Sequence, residues 1–83
     1  MADIKVGKIT HYFDRIGVAV VELSGSLTVG DQIRVSGHDQ EFTQAVSSIQ
    51  VEHQNLQTAD KGDTIGMKLD KPVHEGDEIY KIN

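Results

Sequence analysis

Three neighbouring residues of this chain carry the side-chain types of a hydrolytic triad: Ser36, His38 and Asp39. A working triad needs a base that a third group orients across a pocket. Side chains this close together on a predicted hairpin loop point away from one another. The sequence therefore predicts no nucleophilic triad at this position.

The other side chains that could act in catalysis or bind a metal are histidines and acids, but their positions in the sequence favour neither role. No two histidines have the i, i+2 or i, i+4 spacing that would bring a pair of zinc ligands together, and the chain has no cysteine. The acids Asp60 and Asp63, and those of residues 75–78, lie in glycine-containing turns, where acids commonly cap backbone N–H groups. We expect no catalytic residues, no bound metal, no cofactor and no enzymatic activity. The histidines, which we expect to be solvated, are His11, His38, His53 and His74.

The segment from His11 to Arg15 is the strongest candidate for recognition. It places aromatic rings beside a guanidinium at a strand end, where loops on a rigid scaffold often carry function. This combination suits stacking on a splayed base and equally suits a protein hot spot. The alternative is structural, with Phe13 plugging the core and Tyr12 covering its rim. We predict a binding site at His11, Tyr12, Phe13 and Arg15.

A Gly-Asp-x-Ile pattern occurs three times, at residues 30–33, 62–65 and 76–79. Glycine accepts positive φ without steric cost, aspartate bonds neighbouring backbone N–H groups, and the β-branched isoleucine favours a strand. One aspartate in each turn is too few ligands for a calcium-type site. We therefore predict structural turns at Gly30 and Asp31, Gly62 and Asp63, and Gly76 and Asp77.

The apolar patterning predicts an all-β chain, because no segment carries a helical stripe of useful length. Phase changes predict β-bulges near Gly7 and at residues 47–48. Residues 54–61 look like an irregular plug over the end of the core. Six short strands separated by turns predict a small closed antiparallel barrel. The predicted strands are residues 3–13, 16–23, 32–36, 41–53, 64–69 and 78–82.

The bulk properties narrow the function further. The 83 residues make one domain, residues 1–83, and the net charge is −5 with acids and bases mixed along the chain. Coating of DNA or RNA requires many cations, so it is not expected, although a small local contact with RNA stays open. No signal-peptide pattern or long apolar run occurs. We expect a cytoplasmic protein with no membrane and no DNA partner.

Three stretches, in this order, resemble the second domain of the translational GTPases, the β-barrel of elongation factor Tu and its relatives. Residues 15–33 resemble that family's long strand, glycine turn and next strand entry. Residues 46–51 resemble its v-x-s-I strand, and residues 59–69 resemble its Gly-Asp hairpin. The resemblance extends over residues 5–82. It implies the closed six-stranded barrel of that domain.

The resemblance implies a stand-alone barrel without the GTPase domain. The segment Gly7-Lys8-Ile9 lacks the upstream glycine and the hydroxyl of a phosphate-binding loop, so no GTP is expected. In the family this barrel packs on the nucleotide-binding domain and often helps hold an aminoacyl-tRNA end or ribosomal RNA. The implied function is a noncatalytic module that docks onto a translation- or tRNA-related protein or ribonucleoprotein.

A second resemblance leads to an alternative function. Similar barrels lie at the end of collagenase-like peptidase family proteins connected with tRNA modification. This resemblance implies a second route to RNA-related work. The alternative function is a protein-interaction accessory subunit of an enzyme, for example of such a protein, with no direct RNA contact. The acidic charge balance favours this alternative. Both interpretations predict a protein partner, and the first also leaves tRNA or ribosomal RNA open as a ligand.

Overall fold

The computed structural model describes residues 3–37, 40–52 and 54–82. Every regular element in these ranges is a β-strand, which confirms the all-β prediction. These ranges hold no helix of the length and apolarity that a helical membrane crossing would need. The ten strands are β1 (Ile4–Phe13), β2 (Val18–Leu23), β3 (Leu27–Thr28), β4 (Gln32–Ser36), β5 (Glu41–Ala45), β6 (Ile49–Val51), β7 (Gln54–Leu56), β8 (Thr58–Ala59), β9 (Thr64–Lys68) and β10 (Glu78–Lys81).

Eight of these strands form one antiparallel sheet with the order β5-β4-β10-β1-β2-β9-β6-β7. The remaining two, β3 and β8, pair with each other. The prediction of six strands in a closed barrel needs correction on both counts. There are ten strands in the described ranges, and the hydrogen-bonded ladder there runs from β5 to β7 without closing on itself. Residues 54–61, predicted as an irregular plug, contain β7 and β8.

The predicted strand over residues 41–53 explains much of this difference. In the structure β5 lies at one end of the sheet, whereas β6 lies near the other end. Between them Val46 donates its N–H to the carbonyl of Asp31 (2.8 Å) and accepts the N–H of Gly30 (2.9 Å). The change of apolar phase at residues 47–48 therefore marks a passage between sheet ends, and the bulge predicted there is wrong.

The long strand β1 bends twice. Its register with β10 shifts between Lys5 and Gly7, close to the predicted bulge, and its register with β2 shifts between Ile9 and His11. Gly7 is required at a close approach, since a Cβ atom there would lie only 2.6 Å from Cγ1 of Val21. These bends curve β1 around the apolar core. The most deeply buried large side chains include Ile9, Leu27, Ile33, Ile49, Ile65, Met67 and Ile79.

The side chain of Gln44 on β5 and that of Gln40, just before β5, hold the segment that follows β9. The Gln44 side chain is only 8% exposed; its Nε2 donates to the carbonyl of Lys68 (3.3 Å) and its Oε1 accepts the N–H of Asp70 (2.8 Å). The Gln40 side chain donates to the carbonyl of Pro72. These bonds fix the segment of residues 70–75 beside the end of the β1–β2 hairpin.

Candidate functional site: the tip of the β1–β2 hairpin

The predicted recognition segment ends β1 and continues into the turn of residues 14–17. We call residues 11–16 the hairpin tip. The carbonyl of Phe13 accepts the N–H groups of Ile16 (3.3 Å) and Gly17 (2.9 Å), and Gly17 in turn accepts the N–H of Leu69 (2.9 Å). Gly17 has a φ of 68°, a conformation that glycine adopts without penalty. Backbone bonds therefore fix the position of the tip.

The aromatic side chains of the tip lie on both faces of β1. The rings of His11 and Phe13 meet edge to face, with centroids 4.4 Å apart. Tyr12, between them in sequence, packs against the buried core. Phe13 is 47% exposed and Ile16 is 62% exposed, so the alternative that Phe13 plugs the core is wrong. The tip instead presents apolar side chains to solvent.

A third exposed apolar side chain lies far from the tip. Ile4 is 53% exposed and begins β1, whereas Phe13 ends this strand of ten residues. At about 3.3 Å for each residue, the two side chains are roughly 30 Å apart along the strand. The exposed apolar surface of the tip is therefore a separate patch.

Two shallow concavities meet at the tip. The first, of about 420 Å³, is lined by residues 11–16. The second, of about 620 Å³, is lined by Tyr12 and Asp14 together with residues 72–75. Tyr12 and Asp14 line both. The two concavities are therefore adjacent, and the lining of the first is the more apolar.

The two concavities differ in the charged side chains that line them. Nδ1 of His11 lies 3.2 Å from Oε2 of Glu75, and both side chains are exposed. Asp14 and Glu75 supply carboxylates to the second concavity, whereas Arg15 lines the first. Sequence reasoning found His11 and Arg15 but missed Ile16 and Glu75. Ile16 could have been identified from the sequence, because it is an apolar residue within a polar turn. Glu75 could not, because only the tertiary fold brings it to the tip.

A second polar cluster, on β1, β4 and β10, is paired within itself. Nζ of Lys5 lies 2.7 Å from the Glu78 carboxylate, which also accepts the Tyr80 hydroxyl (2.9 Å). The hydrogen bond to Lys5 lowers the pKa of Glu78, and the hydrogen bonds to Glu78 raise the pKa values of Lys5 and Tyr80. Arg34 pairs with Asp3 (2.7 Å) and lies over the Tyr80 ring. These charges interact with one another, which suits a structural role.

The three Gly-Asp turns share one pattern of bonds. In each, the aspartate Oδ2 accepts the N–H of the residue three positions earlier at 2.9 Å. Its own N–H donates to the carbonyl of that earlier residue at 3.0 or 3.1 Å. The glycine φ values of 93–98° suit glycine best. The turns are Thr28 to Asp31, Asp60 to Asp63 and His74 to Asp77.

Several of the remaining sequence candidates lie outside the described residues. Ser36 ends β4, but His38 and Asp39 lie outside the described residues, as does His53. Among the residues that the structure describes, no three His, Asp or Glu side chains gather in a way that could hold a metal ion. The hairpin tip is therefore the candidate functional site.

The fold is that of the C-terminal domain of a U32 peptidase. Two solved structures of this domain from Geobacillus thermoleovorans, one a selenomethionine variant, superpose on 94% and 93% of the chain with TM-scores of 0.89 and 0.88. The match covers 91% and 98% of those chains, at 23% and 22% sequence identity. At this identity the likeness concerns the fold.

Sequence relatives include collagenases and a protease. The chain is 37% identical over 82 residues to a collagenase of Porphyromonas gingivalis, and 33% identical over 80 residues to an uncharacterized protease of Methanocaldococcus jannaschii. These matches cover 96% and 95% of this chain, respectively. The chain spans only 20% of the length of each of these relatives. No protein-family model matches it.

The predicted kinship with domain 2 of the translational GTPases is wrong. Relatives that match nearly the whole chain are a protease and collagenases, and two matching structures are U32 peptidase C-terminal domains. The stretches that carried the resemblance contain a central strand and two Gly-Asp turns. Such features build an antiparallel sheet in any protein and do not distinguish one family from another. The predicted connection with translation has no support and is withdrawn.

Proposed function

We propose that this chain is a noncatalytic accessory domain of a peptidase- or collagenase-type protein and that it binds protein through the hairpin tip. One observation carries the proposal: the chain matches such relatives over about 95% of its own length but spans only 20% of theirs. It thus corresponds to a module of a larger protein. The same fold has been solved as a separate C-terminal domain.

The chemistry of the tip favours a protein ligand over a nucleic acid. Exposed apolar side chains that form a patch on a rigid hairpin are typical of protein-interaction sites. Phe13 and Ile16 provide such groups, and Arg15 is the one cation lining the tip concavity. Nucleic-acid binding depends on neutralising several phosphates, whereas the chain carries a net charge of −5.

The placement of the acids supports a noncatalytic role. In the three Gly-Asp turns, the aspartate carboxylates accept hydrogen bonds from backbone N–H groups. The pKa shifts of Lys5, Glu78 and Tyr80 arise mainly from hydrogen bonds within their own cluster. A general acid or base would instead be expected in a cleft that tunes its pKa for proton transfer. The cytoplasmic location expected from the sequence stays a prediction.

A chimera tests the accessory role. In the Porphyromonas gingivalis collagenase, the matching fifth of the chain would be replaced by these 83 residues. We expect the chimera to cleave both short peptides and proteins, and the 83-residue chain alone to cleave neither. Phe13→Ser with Ile16→Ser should lower protein cleavage and leave short-peptide cleavage unchanged. Hydrolysis by the isolated chain, or a chimera indifferent to these substitutions, would contradict the proposal.

A salt titration separates protein binding from RNA binding. An RNA ligand would bind the chain more weakly as salt rises, with a slope set by the number of phosphate contacts. We expect no specific tRNA binding at any salt concentration. Tight, steeply salt-dependent tRNA binding that is lost in Arg15→Gln would assign the tip to RNA instead.

A further inference from the structure

We propose that the outer face of strands β2 and β9 docks this domain onto the peptidase part of a larger protein. The docking surface, which we call the shelf, consists of Val18, Val20 and Gly66, with Lys68 at its border. The inference rests on the proposed role as an accessory domain and adds a second surface to the hairpin tip. It follows from the patterning of β2, from a glycine that the fold does not need and from the size of the surface.

Strand β2 is apolar on both of its faces. Ala19, Val21 and Leu23 are buried in the core, whereas Val18 and Val20 point away from the core and are only half-buried. An antiparallel sheet with one face in water normally carries polar residues on that face. A strand that is apolar on both faces is typical of one covered from both sides. We therefore expect the outer face of β2 to be covered by something outside the domain.

Gly66 continues the shelf on β9, where it pairs with Val20. The fold does not require glycine there, because its φ is not positive and a Cβ atom would make ordinary contacts. Such a Cβ would lie 3.4 Å from Cγ1 of Val18 and 3.8 Å from the carbonyl of Gln50. Glycine inside a strand weakens it and often marks a close approach of a ligand or another backbone. Gly66 thus indicates that a partner contacts β9 at this point.

The polar side chain next to Gly66 leaves the shelf open. Gln50 on β6 pairs with Gly66, and its side chain is exposed. Its Nε2 donates to Oδ1 of Asn55 (2.9 Å), and Asn55 belongs to β7, which lies beyond β6 in the sheet. This bond directs the Gln50 side chain away from β9. The surface of Gly66 therefore stays accessible.

The charges around the shelf indicate the chemistry of its partner. Lys8 and Glu22 lie directly opposite each other on β1 and β2, so their charges balance across this strand pair. Lys68 lies opposite Val18, at the border of the shelf, and is exposed. The shelf therefore suits an apolar patch that carries an acidic side chain at the edge facing Lys68.

The size of the shelf favours a partner within the same protein. With strands about 4.8 Å apart and about 3.4 Å for each residue, three strands and two residue rows offer on the order of 200 Å². A stable complex of two separate proteins buries about 800 Å² on each partner, so a second copy of the chain would bind weakly. A tethered partner has a high effective concentration, so a small surface suffices. The relatives supply such a partner, since this chain spans only 20% of their length.

Cysteine labelling tests the inference, because the chain has no cysteine of its own. Val20→Cys would be introduced into the 83-residue chain and into the chimera with the Porphyromonas gingivalis collagenase. Thr43→Cys, at an exposed position of β5, is the matched control. We expect maleimide to label Val20→Cys at least about tenfold more slowly in the chimera than in the chain alone, because only the undocked fraction reacts. Thr43→Cys should react equally fast in both, and mass spectrometry of the labelled peptides identifies each position.

Gly66→Gln separates docking from folding. Because a Cβ atom fits at this position, the variant chain should unfold at a temperature no lower than that of the wild type. In the chimera the longer side chain should occupy the shelf and restore fast labelling of Val20→Cys. Thr43→Gln, the matched control on β5, should leave Val20→Cys protected.

Equal labelling of Val20→Cys in the chain and in the chimera would overturn the inference, as would protection that persists with Gly66→Gln. Protection of the chain alone that grows with its concentration would also overturn it, by assigning the shelf to a second copy. If the chimera does not fold, a cysteine at the matching position of the collagenase itself gives the same test, with the same supporting and overturning results. The accessory role is judged separately, by the dependence of protein cleavage on Phe13 and Ile16.

Discussion

Two kinds of turn can be compared among the residues that the structure describes: the Gly-Asp turns and the turn of the β1–β2 hairpin. In the Gly-Asp turns a carboxylate accepts a backbone N–H, and the bond recurs at 2.9 Å in all three. The turn of the β1–β2 hairpin is closed instead by N–H groups that donate to the carbonyl of Phe13. The side chains of this turn are not needed to close it, and those of Phe13 and Ile16 are exposed.

The two kinds of turn differ in what their side chains do: those of the Gly-Asp turns stabilise the fold, whereas those of the hairpin tip are available to contact a ligand. A side chain that satisfies the backbone of its own turn contributes to folding and has little capacity left for a ligand. An exposed apolar side chain contributes little to folding, yet it can lose much water-exposed area when a partner binds. The comparison predicts that the two kinds of turn respond in opposite ways to substitution.

The third Gly-Asp turn should give the largest loss of stability. Asp77 is 7% exposed and accepts the N–H of His74, and its carbonyl accepts the N–H of Ile9. Asp77→Ala leaves the His74 N–H without its acceptor, so we expect the free energy of unfolding to fall by about 1–3 kcal/mol. Urea unfolding measures it, with Asp60→Asn as the control. A change no larger than in that control would break the comparison.

The same substitution in an exposed turn should cost less. Asp63 makes the equivalent bond to the N–H of Asp60 but lies at the surface, where water can replace the lost acceptor. We expect Asp63→Ala to lower the free energy of unfolding by about 0.5–1.5 kcal/mol, the net value of a typical hydrogen bond. A cost above that of Asp77→Ala, measured in the same urea series, would show that burial does not set the ranking.

The hairpin tip should behave in the opposite way. Because Phe13 and Ile16 are exposed, Phe13→Ser with Ile16→Ser should change the free energy of unfolding by about 1 kcal/mol or less. Protein cleavage by the chimera should nevertheless fall. Val21→Ser, at a fully buried position of β2, is the contrasting control and should be clearly destabilising in thermal unfolding. A tip variant as unstable as this control would make the tip a structural element.

The paired cluster should give the smallest effect, and this stabilisation should be lost at both extremes of pH. The pKa of Glu78 is lowered from 4.5, so its contribution to stability is present above pH 4.5 and is lost as pH falls through the folded-state value. The pKa values of Lys5 and Tyr80 are raised from 10.5 and 10.0. Their contributions are therefore present below these values and are lost as pH rises through the folded-state ones.

Removal of the central carboxylate tests this pH dependence. Unfolding midpoints of the wild type and of Glu78→Gln would be compared from pH 3 to pH 11. We expect their difference to be largest near neutral pH and to shrink at both ends. Because the cluster is exposed, the whole effect should be small. A difference independent of pH would show that Glu78 acts by packing and not by charge.

Local patterns predicted most individual strands. Residues 32–36 alternate cleanly and form β4, and residues 64–69 and 78–82 contain β9 and β10. The segment of residues 41–53 failed because an apolar pattern records which residues are buried but not which strand they pair with. The chain leaves the ladder at Val46, whose partners Gly30 and Asp31 are distant in sequence. Closure of the sheet could not be predicted for the same reason.

The candidate site was predicted only in part. His11 to Arg15 stood out because aromatic and basic residues are adjacent in the sequence. Glu75 and Pro72 belong to a different loop, and long-range bonds of Gln44 and Gln40 bring that loop to the tip. Whether the tip binds a partner stays a prediction.

By itself, the sequence determined the all-β class and the chemistry available at the turns and at the hairpin tip. These properties depend on residues close together in the chain, whose alternation and backbone preferences act locally. Only the tertiary structure decided the order of the strands, the open ladder and the meeting of Tyr12 and Asp14 with Glu75. Those features depend on pairings between residues far apart in the chain, and many such pairings satisfy the same local pattern.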